Sequence, residues 1–223
     1  MQFWITWRMK RNRTLLNKAQ AHVLTERHAA SKIGCMRTFA ILFICLSGFC
    51  HTAWAMPIGY NLVKKKSHVG FTYQFGEVEI MGRFVEYNAD ISIDFERPAN
   101  SHVSVILNTG TARAGFVFAT QALRSKKILD AVKYPDIEFV SNSVSADGKN
   151  IAIKGMITVR GITKPLALNA QLLRALGTKP SERENLRMRI TGKINRHDFG
   201  ASGFPNDVGQ MLDIKIDAQI KRQ

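Results

Sequence analysis

The chain has 223 residues, 45% of them hydrophobic, which is enough for one domain with a buried core and a leader. Its formal net charge of +15 would suit nucleic acid or an anionic membrane surface. Residues 1–55 hold eight Lys and Arg and one acid, however, which leaves 24 bases, 16 acids and a net charge of +8 for residues 56–223. These charges are dispersed, with no basic stripe interleaved with aromatic residues, so nucleic-acid binding is not expected.

An apolar run at residues 39–50 follows Met36-Arg37 and precedes Ala53-Trp54-Ala55. The run is shorter than the about 20 residues that a membrane-spanning helix needs. The order of basic, apolar and small residues is that of a secretory signal peptide, and a buried helix or an uncleaved anchor is the alternative. We therefore predict that residues 1–55 are a leader, with translation starting at Met36, cleavage after Ala55 and Sec-type export to the periplasm.

All three cysteines of the chain lie in the predicted leader. The domain at residues 56–223 is therefore expected to contain neither a disulfide nor a metal–thiolate site. This composition is compatible with an oxidising compartment.

From Met56 onward, apolar and polar residues alternate with the period of two that is typical of half-buried β-strands. The clearest rows lie at residues 69–75, 91–95, 103–107, 153–159, 166–172, 186–194 and 212–220. The rows at 153–159 and 166–172 are separated by a break at residues 160–164, so they predict a long hairpin with one apolar face.

One segment departs from the strand pattern. Residues 121–133 are rich in helix formers, and Leu123, Ile128 and Val132 lie near helical spacing. Pro135 ends this pattern, because the residue before a proline avoids the helical region. We predict one short helix near residues 121–133.

Several motifs in this order resemble the YceI-like family of polyisoprenoid-binding, lipocalin-like periplasmic proteins. They are the hairpin Gly155-Met-Ile-Thr-Val-Arg-Gly161 with Thr163-Lys-Pro165, the segment Leu123-Arg-Ser125 with Tyr134-Pro-Asp-Ile-Glu-Phe139, and Ile194-Asn-Arg-His-Asp-Phe-Gly200. The resemblance runs from about Tyr60 to the end of the chain and implies an all-β fold, an eight-stranded antiparallel lipocalin-like barrel. Composition alone leaves a β-sandwich equally open.

No catalytic constellation is evident in the domain. His68, His102 and His197 have no metal-ligand spacing, and Asp198 beside His197 would face the opposite side of a strand. A nucleophile elbow and a phosphate-binding glycine loop are both missing from the sequence. We expect no enzyme activity, no metal and no cofactor other than a bound lipid.

The apolar rows predict either a packed core or a lumen for one thin ligand, since an eight-stranded barrel accommodates both. The resemblance implies a pore that holds an isoprenoid chain of a polyprenyl phosphate or a quinone. The residues expected to contact the lipid are Phe71, Tyr73, Phe75, Phe84, Ile93, Val105, Phe116, Phe118, Leu123, Phe139, Phe199 and Phe204.

Three basic residues are candidates for a polar head group: Arg160, Lys164 and Arg196. A guanidinium group suits phosphate oxygens because it donates in a fixed planar fork. For residues 195–198 the alternative is a turn in which Asp198 accepts hydrogen bonds from backbone N–H groups.

The sequence and the resemblance together predict an exported carrier or store for an isoprenoid lipid. One alternative is an accessory protein that hands a quinone to a membrane b-type cytochrome, with transient membrane contact. Another is a structural or stress-induced envelope protein with a filled barrel. The oligomeric state is not predicted.

Overall fold

The computed structural model describes residues 56–174 and 176–223. The predicted start at Met36, the signal peptide and the cleavage site after Ala55 lie outside these residues and stay predictions. In the part of the chain that is described, no helix is long and apolar enough to cross a bilayer.

Within the described residues the chain forms eleven strands and one α-helix. The strands are β1 Ile58–Leu62, β2 His68–Phe75, β3 Val78–Phe84, β4 Tyr87–Ile93, β5 His102–Asn108, β6 Arg113–Ala114, β7 Asp136–Asp147, β8 Asn150–Val159, β9 Ile162–Leu173, β10 Asn185–Asn195 and β11 Val208–Arg222, and the helix, α1, is Val117–Arg124. The alternating rows of the sequence therefore become strands, as predicted.

Eight of these strands close a ring in the order β1-β4-β5-β7-β8-β9-β10-β11, and β11 pairs back with β1. All pairings are antiparallel, so the predicted eight-stranded antiparallel barrel is confirmed. Closure satisfies the backbone groups that an open sheet would leave at its edges.

The long strand β11 pairs with two different strands along one edge. Its C-terminal end pairs with β1, where Ile220 lies opposite Leu62, and its N-terminal part pairs with β2, where Ile214 lies opposite Phe71. β2 continues the wall through β3 and β6, and α1 follows β6. Closure at one end of the barrel is therefore made by strands, and at the other end it also involves α1.

The β8–β9 hairpin turns within two residues, because Val159 pairs directly with Ile162. Arg160 and Gly161 both have positive φ values, 52° and 74°, which is the backbone of the tight turns that match the twist of a hairpin. The second strand therefore begins at Ile162, within the break that the sequence pattern places at residues 160–164.

The helix lies earlier in the chain than predicted. It ends at Arg124, and residues 125–133 form turns instead of the predicted continuation to 133. Ser125 closes the helix: its backbone N–H and its hydroxyl both donate to the Ala122 carbonyl, at 3.1 and 2.7 Å, and its own backbone is extended. The turns still bury Ile128 and Leu129, whereas Val132, which shares the apolar spacing of the predicted helix, is 96% exposed.

The barrel interior contains two apolar clusters. One lies at the end that holds both β1 and the C-terminus, and we call it the packed end. It consists of Tyr60, Ile91, Leu186, Met188 and Ile220, with Ile58, Leu62, Ala89, Ile93, Phe95, Val103, Ile151, Leu172 and Ile190 packed against it.

The second cluster lies toward α1 and the β8–β9 turn. It includes Ile128, Leu129, Phe139, Ile157 and Phe199, with Ile151 and Ile190 in contact with both clusters. The candidate functional site lies within this second cluster.

Candidate functional site

A cavity of about 520 Å³ occupies the barrel interior above the packed end. Its wall includes residues of every strand from β2 to β11 except β4, together with α1, the turns after α1 and the segment that joins β10 to β11. The lining is apolar apart from a few groups, and its charged members are Arg196 and Asp207. Such a site favours a ligand with little polarity along most of its length.

Glycine residues leave room for aromatic rings on this wall. A Cβ atom at Gly82 would overlap the Phe71 ring, and a Cβ at Gly155 would lie 2.7 Å from the Phe139 ring. In each pair the two residues lie on neighbouring strands and face the same side. The rings can therefore lie along the wall over the glycines, which leaves the centre of the barrel open.

The cavity opens between turns that carry exposed aromatic residues. Phe75, Phe116, Phe118 and Phe204 belong to the lining and are nevertheless solvent-exposed. The Phe75 and Phe116 rings meet edge to face, with their centroids 6.2 Å apart. These residues therefore mark the mouth of the cavity, at the opposite end of the barrel from the packed end.

Eleven of the twelve residues predicted to contact lipid line this cavity. They are Phe71, Tyr73, Phe75, Phe84, Val105, Phe116, Phe118, Leu123, Phe139, Phe199 and Phe204. The twelfth, Ile93, pairs with Ile58 and packs into the packed end, so its assignment to the cavity is wrong. Alternation identifies which face of a strand points inward, but it carries no information on height along the barrel.

Arg196 lies in the lining with 4% of its surface exposed. Its Nε donates to the Gly209 carbonyl at 2.9 Å, its Nη2 to the Val208 carbonyl at 2.7 Å, and its Nη1 to the carbonyls of Ala201 and Gly203. Burial lowers the pKa of the guanidinium group, because it disfavours the charged form.

Four of the five N–H donors of Arg196 are thus used by backbone carbonyls of residues 201–209, which corrects its prediction as a head-group ligand. The turn alternative describes this segment better, although its capping residue is different. The side chain of Asn195, and not that of Asp198, accepts the backbone N–H of His197 at 3.0 Å.

The other two head-group candidates do not line the cavity. Arg160 donates through Nη1 to the carbonyls of Lys126 and Ile128, at 2.9 and 2.8 Å, so it anchors the turns after α1. Lys164 is exposed and lies opposite Ile157 in the β8–β9 ladder. The structure therefore does not bring the three basic residues together around one group.

Sequence reasoning missed several residues of the lining. Asp207 gave no signal, because it lies in a segment without periodicity. Ala119 was missed because the helix was predicted to start at residue 121, and Ala122 was missed because it does not belong to the apolar spacing of Leu123, Ile128 and Val132. Many of the remaining members lie in apolar rows or turns that carried a signal, among them Val69, Leu107, Ile128, Leu129, Ile137, Ile157, Val159, Leu166, Leu168, Ile194, Leu212, Ile214 and Ile216.

The described residues contain no group of three or more His, Cys, Asp or Glu side chains placed to hold a metal ion. His197, the histidine beside Asp198, has its Nε2 atom buried without a hydrogen-bond partner. The arrangement around this histidine is therefore not that of an imidazole oriented between a carboxylate and a nucleophile.

Comparison with known proteins gives a consistent family. A family model described as a YceI-like domain matches residues 60–220. Protein YceI from Escherichia coli O17:K52:H18 is 30% identical over 172 residues, which cover 76% of this chain and 90% of that protein.

Two solved structures share the fold. BcnA from Burkholderia cenocepacia superposes with a TM-score of 0.64 at 17% identity, over 71% of this chain and 99% of BcnA. A domain from Saccharophagus degradans described as polyisoprenoid-binding superposes with a TM-score of 0.53 at 12% identity, over 74% of this chain and 99% of that domain.

Proposed function

Because the chain belongs to the YceI-like family, we propose that it is a lipid-binding protein that holds an isoprenoid chain in its cavity. The observation that carries this proposal is the apolar cavity of about 520 Å³ in the barrel interior. The Saccharophagus degradans domain is described as polyisoprenoid-binding, which supports the same ligand class.

The driving force for binding is the transfer of an apolar chain out of water. Each buried methylene-sized group contributes about 0.8 kcal/mol. If a group takes about 30 Å³, close to the volume share of a water molecule, the cavity holds about 17 such groups, or between three and four isoprene units. A longer chain would extend through the mouth, because the packed end blocks the far side of the barrel.

The protein acts as a carrier or a store in this proposal, since binding alone accounts for the site. The periplasm is the proposed location, on the basis of the signal-peptide pattern at residues 36–55. A filled barrel would not need the cavity, so the structural alternative has less support.

The test is organic extraction of the purified full chain, followed by mass spectrometry of the extract. We expect an isoprenoid lipid in a ratio near one per protein molecule. A quinone in the extract would favour the electron-transport alternative, and a polyprenyl phosphate would favour a carrier of envelope intermediates. An extract without lipid, from protein that also fails to take up an added polyprenyl chain, would contradict the proposal.

A further inference from the structure

The mouth of the cavity carries an exposed apolar rim. We define the rim as Phe75, Val78, Phe116, Val117, Phe118 and Phe204. Two of these residues, Val117 and Phe118 in the first turn of α1, are 69% and 78% exposed. Apolar residues of this size that surround an opening, instead of lying singly on a wall, indicate a surface that meets another apolar phase.

The rim is held together as a ring. The N–H of Gly76, in the β2–β3 turn, donates to the Asp207 carbonyl at 2.9 Å, and the N–H of Gly203 donates to the Lys127 carbonyl at 3.0 Å. The edge-to-face contact of Phe75 and Phe116 joins the β2–β3 turn to the start of α1. Three connections thus fix the turns relative to one another around the mouth.

Positive charge accompanies the α1 side of the rim, whereas Glu77 and Glu79 flank Val78 in the β2–β3 hairpin. Residues 116–134 contain Arg124, Lys126, Lys127 and Lys133 against the single acid Asp130, a net charge of +3. The ammonium group of Lys127 lies 5.3 Å from the centroid of the Phe204 ring. Apolar side chains such as Phe with adjacent lysines are typical of surfaces that lie in a membrane–water interface, where the ring enters the headgroup region and the cation remains in contact with lipid phosphates.

From this arrangement we propose that the rim docks on a lipid bilayer that contains anionic headgroups, with the mouth of the cavity facing the membrane. This inference rests on the proposed function and adds the route by which the chain enters and leaves. An isoprenoid chain passes from the bilayer into the cavity between the rim residues, so its apolar groups do not cross bulk water. The occupant is lipid because the apolar rim encloses the opening and basic residues flank it.

The experiment measures binding of the full chain to sedimented vesicles of phosphatidylcholine, with and without phosphatidylglycerol. The main variant is Val117→Glu, which places a carboxylate on the rim at the first position of α1, where a negative charge is compatible with the helix. Val117 is not part of the cavity lining. We expect its affinity for mixed vesicles to fall at least about tenfold, because a carboxylate resists entry into the interface.

The matched control is Val140→Glu, the same substitution at a residue that is 44% exposed on the outer wall of β7. It introduces the same charge far from the rim and should leave vesicle binding within about twofold of the parent, since it does not approach the bilayer. If Val117→Glu and Val140→Glu behave alike, the rim does not dock and the inference is overturned.

A second pair of variants distinguishes docking by the rim from nonspecific attraction between basic residues and anionic lipid. Reversal of Lys126 and Lys127 to Glu should weaken binding to anionic vesicles about tenfold or more and leave binding to pure phosphatidylcholine unchanged. Reversal of Lys64 and Lys65, in the β1–β2 connection, should have a smaller effect. Equal losses for the two pairs would mean that net charge, and not the rim, governs the interaction.

Retention of a polyprenyl chain, added from detergent and followed by gel filtration, distinguishes this inference from the proposed function. Val117→Glu should retain the chain as the parent does. Chain retention with vesicle binding that is insensitive to Val117→Glu would overturn docking alone. Vesicle binding that depends on Val117, in a protein that retains no chain, would overturn the proposed function alone.

Discussion

Both ends of the barrel are built from strands with the same alternating pattern, but one end is packed and the other encloses a cavity. At the packed end Tyr60 and Ile220 are 1% and 0% exposed, and side chains from β1, β4, β10 and β11 meet across the barrel. At the mouth end equally apolar residues line a cavity of about 520 Å³. One strand, β11, contributes to both, through Ile220 at one end and Ile214 at the other.

The difference between the ends follows from how the strands close. At the packed end β1 fills the gap between β4 and β11, so the ring of strands is complete and narrow enough for side chains to meet. Toward the mouth β2, β3 and β6 separate from that ring and α1 covers part of the opening. The packed end therefore provides stability, and the mouth end provides space.

The sharpest contrast is expected between two isoleucines of β11. Ile220→Ala removes a fully buried side chain from the packed end and should lower the free energy of unfolding by about 2–5 kcal/mol. Ile216→Ala enlarges an existing cavity, whose lining has fewer contacts to lose, and should cost about 1–2 kcal/mol. Urea unfolding of the delipidated proteins measures both, and equal losses would remove the distinction between the ends.

Arg196 provides a test at the mouth end that does not depend on the cavity. Arg196→Met keeps most of the apolar stem but leaves four backbone carbonyls without their donor, and should cost about 2–3 kcal/mol. Arg196→Lys should not restore the loss, because an ammonium group lacks the planar fork. Calorimetry that finds either variant as stable as the parent would contradict the structural role of this residue.

At the packed end, the β4–β5 turn should make stability depend on acid pH. The backbone N–H of Arg97 donates a hydrogen bond to Asp94 Oδ1 at 2.8 Å, and this bond is the main cause of the lowered pKa of Asp94. Hydrogen bonds from the Asn100 side chain and the Glu96 backbone N–H also lower it. A carboxyl with a lowered pKa in the folded state stabilises the protein above its unfolded value of about 3.9, and this contribution is lost as pH falls through the folded pKa.

Asp94→Asn should therefore destabilise the protein at neutral pH, and the difference from the parent should shrink as the solution is acidified. Asp90→Asn, at an exposed position of the preceding strand β4, is the control. Parallel stability curves for Asp94→Asn and the parent between neutral and acid pH would show that the ionised carboxylate contributes nothing.

The smallest effect on stability is expected for Val105→Phe, which adds bulk to the cavity wall. In a packed core the larger ring would cost about 1–3 kcal/mol, but next to an empty cavity we expect a change within about 0.5 kcal/mol or a gain. Binding of a long polyprenyl chain should fall, and binding of a short chain should fall less. Met156→Phe on the outer face of β8 is the control and should change neither. Clear destabilisation with unchanged lipid binding would contradict a ligand site at Val105.

The sequence by itself determined which residues face the interior, and with the family motifs it determined the eight-stranded barrel. Period-two alternation is a local property of a strand, so the rows at residues 153–159 and 212–220 could be assigned to the inner face without knowing their partners. Phe71, Tyr73, Phe75 and Val105 lie in such rows, and all four line the cavity.

Only the tertiary structure decided the height of each residue along the barrel and the use of each polar group. Ile93 and Val105 have the same local pattern, yet one packs beside Tyr60 and the other lines the cavity, because pairing with β1 sets the height of β4. The sequence suggested Arg196 as a ligand for a phosphate group. In the structure, however, its N–H donors bind the backbone carbonyls of residues 201–209. Pairings such as Leu62 with Ile220 join distant parts of the chain, and no local period encodes them.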